Sequence, residues 1–306
     1  MKKRQKLALA TASLALGCGA IQAKPAQAAV VGGRIDTFAA ASLTDALPAV
    51  QALYQRRNPG VTFTFTNTFG ASGTLVNQIL MERPTPIDIF FPVSQAPLNT
   101  LESNNKLIAG TRQDLLRNTL AIIAPINSTR PISSVQDLTG SQVRKIAIGD
   151  PAVVPAGQFA TQLFNNSGIS DQIQDKLVLG SNVREVLSLV ASPTNDGIDA
   201  GVVYTTDALT QPNTVKIVNT PSTDLYNPIV YQSAVLQESA NPNGAIDFNN
   251  FLASPEASRV FARYGFTPVN PVPEPLTIGG SIAAGAFGIA MKRKVAAKAK
   301  AKAGVN

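Results

Sequence analysis

Histidine does not occur in the 306-residue chain, and Cys18 is its one cysteine. Without histidine the chain cannot form a Ser-His-Asp triad, a histidine-ligated zinc site or the usual general base. Four aspartates could still pair as catalytic carboxylates: Asp88, Asp150, Asp199 and Asp207. Each of them lies where a predicted strand ends or the chain turns. We therefore expect structural roles for these aspartates, and the sequence gives little support for an enzyme.

Basic residues are concentrated at the two ends of the chain. Of the 26 Lys and Arg residues, five lie in residues 1–28 and six in residues 292–306, where no acidic residue occurs. The body between these ends has 15 basic residues against 19 acidic ones. The formal net charge of +7 is thus a property of the ends. Because segments that combine basic with aromatic residues are also absent, nothing favours a nucleic-acid partner.

Residues 1–28 have the pattern of a secretory signal peptide. Basic residues at positions 2–6 precede an apolar run over residues 7–21, and Ala-Gln-Ala at 26–28 is a small-residue cleavage site. The alternative is a lipoprotein signal acylated at Cys18, which we favour less because residues 15–17 match that signal poorly. Either signal implies export and processing by a signal peptidase. With no second cysteine, the exported chain must fold without a disulfide.

Strands and helices alternate over residues 29–270. Val61, Phe63 and Phe65, separated by threonines, have the period of two that indicates a strand. Short apolar segments predict further buried strands at 87–91, 120–124, 145–149, 176–179 and 198–204. Such an alternation predicts an α/β fold with largely parallel sheets, in which ligands bind where the carboxyl ends of strands meet helix N-termini.

Two helices are predicted in the first half of the chain from apolar residues at helical spacing. The first has Leu43, Leu47, Val50 and Tyr54 on one face, and the second has Leu75, Ile79 and Leu80. Pro48 lacks a backbone N–H, so we expect it to kink or restart the first helix.

Small or capping residues mark four joints between a strand and a helix. Two joints, TFAAASLTDAL at 37–47 and FGASGTLVNQI at 69–79, have Ser42 and Ser72 at their turns. The other two are Pro-Ala-Gly at 155–157 and Ser-Asn-Val at 181–183. Free N–H groups and the helix dipole at such joints can hold an anion. Each joint could also be an ordinary capped helix, with Ser42 and Asp45 as a capping pair. Two lobes that close on one small anion would use all four.

Six segments in order, FAAASLTDAL, FGASGTLVNQI, IAIGDPAVVPAGQFA, NVREVLSLV, DAGVVYTTDA and SPEASRVFARYGF, together resemble the molybdate-binding proteins of bacterial ABC importers. The resemblance covers about residues 37–266. It implies a two-lobed α/β periplasmic binding protein of type II (cluster II), monomeric, with a ligand cleft between the lobes and an ABC importer permease as partner. Residues 33–118 and 227–268 would form lobe 1 and residues 119–226 lobe 2, with crossings near 117–120 and 224–228.

The resemblance also implies the ligand-binding residues. They are Ser42 and Ser72 with hydroxyl and amide, Ala156 and Val183 with their amides, and Tyr204 with its hydroxyl. Molybdenum would be bound only as the molybdate oxyanion, with no direct metal coordination and no cofactor. Arg184, next to Val183, is interpreted as a charge on the lobe surface rather than as an anion clamp.

Such a set of donors without acceptors suits an oxyanion that carries no proton. Phosphate keeps a proton near neutral pH, and leaving a buried polar group unpaired costs about 1–3 kcal/mol. Sulfate is also proton-free, and tungstate has nearly the size of molybdate, so the ranking of these three anions stays open. A sulfate-type receptor and a surface or matrix scaffold that inherited the fold remain as alternatives.

Residues 271–306 resemble a Pro-Glu-Pro C-terminal sorting tail, the kind that an exosortase processes. Pro-Glu-Pro at 273–275 precedes an apolar stretch at 276–291 and a basic cluster at 292–294. The chain continues to residue 306, whereas the basic cluster usually ends the family's pattern. Flanking lysines can help a short apolar helix to insert, with its basic end in the cytoplasm. We therefore expect a periplasmic protein, or one on the outer face of the cytoplasmic membrane, tethered by this helix.

Overall fold

A computed structural model describes residues 32–81, 86–192 and 197–270 of the chain. The predicted signal peptide with Cys18 and the predicted C-terminal tail lie outside these residues. No helix within the three described ranges has the length and apolar character needed to cross a membrane.

Strands and helices alternate along most of the described chain. The strands are β1 (Gly33–Ala40), β2 (Phe63–Gly70), β3 (Ile89–Phe91), β4 (Gln113–Asn118), β5 (Leu120–Pro125), β6 (Ile146–Gly149), β7 (Leu177–Gly180), β8 (Ala200–Tyr204), β9 (Val215–Asn219), β10 (Ile229–Val235) and β11 (Thr267–Pro268). The α-helices are α1 (Ala46–Arg57), α2 (Ser72–Leu80), α3 (Ala96–Ser103), α4 (Pro155–Asn166), α5 (Ser170–Ile173), α6 (Val183–Ala191), α7 (Thr205–Ala208), α8 (Pro242–Leu252) and α9 (Pro255–Arg263). Short 3₁₀ helices occur at Ala41–Leu43, Gln136–Thr139, Gln174–Lys176 and Thr223–Leu225.

The strands form two mixed sheets, one for each lobe. The first sheet has the order β11-β4-β10-β3-β1-β2 and the second has the order β7-β6-β8-β5-β9. Parallel pairing joins β1 to β2 and β3, and β6 to β7 and β8. Antiparallel pairing involves β4, β10 and β11 in the first sheet and β5 and β9 in the second. The prediction of largely parallel sheets was therefore wrong, because these strands lie outside the strand–helix–strand units that require parallel neighbours.

The chain passes between the two sheets twice. It leaves the first sheet after β4 and enters the second at β5, with Thr119 between them. It returns between β9 and β10, through the short helix Thr223–Leu225. On this basis we propose the lobe boundaries given above, with residues 33–118 and 227–268 as lobe 1 and residues 119–226 as lobe 2.

Helices cover both faces of the first sheet. Successive residues of β3 point to opposite faces: Ile89 and Phe91 belong to one core cluster and Phe90 to another. The first cluster packs beneath α1, α8 and α9 and continues into the second sheet. The second cluster packs beneath α2 and α3. This cover leaves the carboxyl ends of the parallel strands as the edge where the two lobes can meet.

The chain between β1 and α1 has a break that places Ser42 at the end of the strand. The 3₁₀ helix Ala41–Leu43 comes first, and α1 starts only at Ala46. Pro48 therefore lies in the first turn of α1, where a backbone N–H has no acceptor in the helix. The prediction that Pro48 kinks or restarts the helix is confirmed as a restart, which occurs two residues earlier, at Ala46. The alternative of Ser42 and Asp45 as a capping pair is wrong, because Ser42 contacts Tyr231 and the Asp45 side chain makes no capping bond.

Candidate functional site

The five predicted ligand-binding residues line one gap between the two lobes. The gap is narrow, with a cavity volume of about 10 Å³. Its lining consists of Ala40, Ala41, Ser42, Gly70, Ala71, Ser72, Val93, Val154, Pro155, Ala156, Val183 and Tyr204. We call residues 40–42, 70–72 and 93 the first wall, which belongs to lobe 1. Residues 154–156, 183 and 204 form the second wall, which belongs to lobe 2.

Each wall contains helix N-termini that follow parallel strands. In the first wall, β1 leads into the 3₁₀ helix Ala41–Leu43 and β2 leads into α2. In the second wall, β6 is followed by α4 and β7 by α6. The N-termini of α2, α4 and α6, with their partial positive charge, and the 3₁₀ helix Ala41–Leu43 therefore all lie at the same gap.

Backbone amides at these helix ends are available to a ligand. Ser72 and Val183 are the first residues of their helices, Ala156 is the second of its helix, and Ser42 lies in the 3₁₀ helix. Amides in the first turn have no acceptor within their own helix. Nor do these four amides donate to any other acceptor among the described residues. A negatively charged oxygen in the gap would satisfy them.

Two glycines permit the close approaches that shape the gap. A Cβ on Gly157 would lie 1.9 Å from the carbonyl oxygen of Gly149, so only glycine lets α4 begin against the end of β6. A Cβ on Gly73 would lie 2.6 Å from the carbonyl oxygen of Val153. The Gly73 amide donates to that oxygen at 3.0 Å, and this bond joins lobe 1 to lobe 2 directly beside the gap.

Both serine hydroxyls of the first wall have partners in their own lobe. The Ser42 Oγ lies 2.8 Å from the hydroxyl oxygen of Tyr231. The Ser72 Oγ accepts a hydrogen bond from the Val93 amide at 3.1 Å. Because an amide can only donate, the Ser72 proton is left for an acceptor in the gap.

The hydroxyl of Tyr204, in the second wall, is buried without a partner. Tyr204 is 1% exposed, and its oxygen makes no hydrogen bond in the part of the chain that the structure describes. Burial raises the pKa of Tyr204 well above its usual value, with Tyr231 and Asp207 adding to the shift, so the phenol keeps its proton and acts as a donor. Buried donors are normally paired, and an unpaired one costs about 1–3 kcal/mol. A ligand oxygen in the gap would provide the missing acceptor.

Arg184 connects the two lobes next to the gap. Its Nε donates to Asp207 Oδ1 at 2.5 Å within lobe 2, and its Nη2 lies 2.7 Å from Asp45 Oδ2 of lobe 1. The same Nη2 donates to the carbonyl oxygen of Ser42 at 3.3 Å. The interpretation of Arg184 as a lobe-surface charge was therefore wrong, because α6 begins opposite the residues that precede α1. Its guanidinium is paired with two carboxylates.

Asp207 is fully buried, and one of its oxygens has a partner while the other does not. Its Oδ2 makes no hydrogen bond among the described residues. Burial raises the pKa of Asp207 to about 6, although Arg184 opposes the shift. Burial alone would lower the pKa of Arg184, but Asp207 and Asp45 together raise it. The ion pair thus keeps the arginine charged, whereas the half-paired aspartate bears most of the desolvation cost.

The other three aspartates that could have formed a catalytic pair have structural roles. Asp88 accepts hydrogen bonds from the Asp36 and Asn241 amides, and Asp150 accepts one from the Ala152 amide. Asp199 forms ion pairs with two arginines, Arg130 and Arg144. The sequence-based expectation is confirmed for these three.

Sequence reasoning missed two residues close to the first wall, Tyr231 and Asn118. Tyr231 lies in β10, a strand that we did not predict, and Asn118 is the last residue of β4. The apolar run Ile229–Tyr231 could have revealed β10. No local pattern could have revealed that Tyr231 lies behind Ser42, 189 positions away in the sequence.

Comparison with known proteins agrees with this architecture. Residues 35–267 match the family model described as "Bacterial extracellular solute-binding protein". A molybdate-binding protein of Haemophilus influenzae is 34% identical over 87% of this chain and 99% of its own length. One from Escherichia coli is 32% identical over 77% of this chain and 89% of its own.

A solved structure of a periplasmic molybdate-binding protein from Azotobacter vinelandii has the same fold. It covers 78% of this chain and 100% of its own, with a TM-score of 0.67 and 21% identity. The two-lobed fold of a type II binding protein is confirmed by this match, and the family is one of binding proteins and not of enzymes. The chain belongs to the bacterial extracellular solute-binding proteins.

Proposed function

We propose that this protein is the substrate-binding component of an ABC importer and that it captures molybdate or tungstate between its lobes. The observation that carries the proposal is the gap itself. All five residues of the predicted ligand set line it, from both lobes, and the buried Tyr204 hydroxyl has no partner among the described residues. Two relatives above 30% identity are molybdate-binding proteins by name, which favours molybdate over other oxyanions.

The chemistry of the lining supports a proton-free oxyanion. None of the described residues that line the gap carries a carboxylate, and the donors among them are backbone amides and hydroxyls. Ser42, Ser72, Ala156, Val183 and Tyr204 would each donate to the oxygens of a tetrahedral dianion. The hydroxyl of a protonated phosphate would face N–H and O–H groups that all donate, so its proton would have no acceptor.

Calorimetric titration of the purified protein with molybdate, tungstate, sulfate and phosphate tests the proposal. We expect tight binding of molybdate and tungstate, far weaker binding of sulfate and no binding of phosphate. If sulfate bound most tightly, the protein would be a sulfate receptor instead. If none of the four anions bound, the proposal would fail and the protein would be a scaffold that inherited the fold.

We also propose that the exported protein is held at the membrane by residues 276–291 and works with an importer permease. The signal at residues 1–28 and the apolar stretch with its basic end support this placement, and an exosortase would be the processing enzyme of such a tail. Fractionation of cells that express the full chain or a chain ending at residue 270 tests the tether. The full chain should sediment with membranes and the shortened one should be soluble with unchanged anion affinity. Membrane binding by the shortened chain would contradict the tether.

A further inference from the structure

We propose that Tyr231 is a positioning residue for anion binding, which directs the hydroxyl proton of Ser42 toward the ligand. A chain of hydrogen bonds runs from the Asn118 amide through the Tyr231 hydroxyl to the Ser42 Oγ. Tyr231 does not line the gap and acts through Ser42. The inference rests on the proposed function, since it specifies how one of the proposed donors is oriented.

Tyr231 is held rigidly behind the first wall. It is 0% exposed, and its ring packs edge-on against Phe266 at a centroid distance of 5.3 Å and against Tyr204 at 6.1 Å. Its hydroxyl oxygen lies 2.8 Å from Ser42 Oγ and 3.3 Å from Asn118 Nδ2. The phenol therefore has two polar neighbours, and their donor and acceptor roles decide the direction of each bond.

The orientation of the Asn118 amide follows from its other contacts. The Thr119 backbone N–H donates to Asn118 Oδ1 at 2.9 Å, and a backbone N–H cannot donate to an NH₂ group. The Asn118 Nδ2 therefore faces the opposite side, where it also donates to Thr206 Oγ1 at 2.8 Å. Since an NH₂ group can only donate, the Tyr231 oxygen is the acceptor from Asn118.

The Tyr231 proton is then available to one neighbour only. Burial raises the pKa of Tyr231 far above its usual value, with Asp207 adding to the shift, so the proton stays on the phenol. Asn118 already donates, which leaves Ser42 Oγ as the acceptor of that proton. Once Ser42 accepts from Tyr231, its own proton is free for an oxygen in the gap that Ser42 lines. With the opposite direction of the bond, Ser42 would turn a lone pair toward the anion and repel it.

Ser72 reaches the same state by a simpler route. The donor behind its Oγ is the Val93 amide, which has a fixed polarity. Behind Ser42 the donor is a hydroxyl, whose polarity has to be fixed by a further donor, and Asn118 fulfils this role. Both serines of the first wall are thus backed by a donor and present a proton to the gap.

A double-mutant cycle with sodium molybdate as the titrant tests the inference. Tyr231→Phe should weaken molybdate binding about fivefold to tenfold, since a rotating Ser42 hydroxyl must be reoriented on binding. Ser42→Ala should weaken it at least as much. The double variant should bind as Ser42→Ala does, because Tyr231 acts only through Ser42.

Tyr54→Phe is the matched control. The Tyr54 hydroxyl also donates to a side chain of its own lobe, Asp247, but Tyr54 does not line the gap. Its loss should lower the melting temperature without changing molybdate affinity. This control separates a general loss of stability from an effect on the site.

A second variant keeps the test decisive if Tyr231→Phe does not fold. Asn118→Asp keeps the acceptor for the Thr119 amide and replaces the NH₂ donor by an oxygen that accepts the Tyr231 proton. Asn118→Asp should weaken molybdate binding more in the wild-type background than in the Tyr231→Phe background. If Tyr231→Phe is unstable, the Ser42→Ala background takes its place in this comparison. If Asn118→Asp weakened binding by the same factor in both backgrounds, the loss would come only from the added charge, and the inference would be overturned.

The outcomes distinguish this inference from the proposed function. If Tyr231→Phe bound molybdate as tightly as wild type does, the inference would be overturned. It would also be overturned if Tyr231→Phe weakened binding by the same factor in the Ser42→Ala background as in wild type. Either result would leave the molybdate site intact. A wild-type protein that binds no molybdate would overturn both.

Discussion

The two walls of the gap differ in how their polar side chains are satisfied. In the first wall, the hydroxyls of Ser42 and Ser72 have partners inside lobe 1. In the second wall, the hydroxyl of Tyr204 has no partner in the described structure. The same is true of the Oδ2 of Asp207, which lies three residues after Tyr204 in the same lobe.

This difference indicates different states before the ligand arrives. The two serine hydroxyls of the first wall have partners within their own lobe, so these donors are oriented without an anion. In the second wall, Tyr204 gains an acceptor only from a ligand, and Arg184 reaches its second carboxylate, Asp45, only across the lobe boundary. We infer that binding begins on the first wall and that closure of lobe 2 completes the site.

Arg184→Met, next to the second wall, should have the largest effect of all the variants. The fully buried Asp207 would lose its cation, but with a pKa of about 6 it can take up a proton at neutral pH for about 1–2 kcal/mol, so losing the pair and its hydrogen bonds should cost about 2–3 kcal/mol. We expect a loss of that size in the free energy of unfolding of the ligand-free protein at neutral pH, measured by urea titration. The double variant Arg184→Met with Asp207→Asn should recover most of it, and a loss below about 1 kcal/mol would contradict the role of the pair.

The loss in Arg184→Met should also depend on pH. The pKa of Asp207 is raised in the folded chain to about 6, above an unfolded value of about 3.9, so the folded chain favours its protonated form. The stability due to this proton is fully present below about pH 3.9 and is lost as the pH rises through about 6. The deficit of Arg184→Met relative to wild type should therefore narrow below pH 6, where Asp207 is neutral in both proteins. An equal deficit on both sides of pH 6 would exclude Asp207 as its cause.

Tyr204→Phe and Ser42→Ala each remove one hydroxyl, the first from the second wall and the second from the first wall. Their effect on molybdate affinity should be intermediate in size among the variants. Each removes one charge-assisted bond of about 1.5–3 kcal/mol to the anion, so calorimetry should give a tenfold to hundredfold loss of molybdate affinity for both.

In the absence of ligand, the stabilities of Tyr204→Phe and Ser42→Ala should differ. Tyr204→Phe removes an unpaired hydroxyl and should not lower the melting temperature, whereas Ser42→Ala leaves the Tyr231 proton without an acceptor and should lower stability by about 1 kcal/mol. Equal ligand-free melting temperatures would show that the walls do not differ in this way.

The sequence revealed those parts of the site that depend on local patterns. Buried strands such as β6 and β8 are short apolar runs, and helix starts such as that of α6 carry a capping residue, Asn182, whose side chain accepts from two amides of the first turn. Those signals, with the family resemblance, were enough to place Val183 and the other four residues of the predicted set at the gap.

The sequence did not reveal contacts between distant parts of the chain. Ser42 meets Tyr231 across 189 positions, and the Arg184 guanidinium meets the Ser42 carbonyl across 142 positions. Periodicity and capping signals report only on neighbours within a helix or strand, so they contain no information about such pairs. The antiparallel strands β4 and β10 were missed for a related reason, since their pairing follows from the chain's passages between the lobes.

The ion pair between Arg184 and Asp45 should contribute the smallest effect. The Asp45 side chain is 44% exposed, and pairs that water can reach are worth about 1 kcal/mol or less. Asp45→Asn leaves Arg184 paired with Asp207 inside lobe 2, so the ligand-free stability should hardly change. Because the pair forms only when the lobes meet, its loss should make closure less favourable and weaken molybdate binding about twofold to fivefold.

Salt provides the decisive measurement on Asp45→Asn, because the attraction between partly exposed charges is screened. Calorimetry at low and high sodium chloride should show the difference in molybdate affinity between wild type and Asp45→Asn shrinking as salt rises. Glu256→Gln is the matched control, since Glu256 pairs with Arg57 within lobe 1 and should leave affinity unchanged at both salt concentrations. Small-angle scattering should still show a smaller radius of gyration with molybdate in Asp45→Asn, because the anion itself draws the walls together. If Asp45→Asn bound molybdate as wild type does at low salt, the contact between Arg184 and Asp45 would not contribute to closure, and only Arg184's pairing with Asp207 would matter.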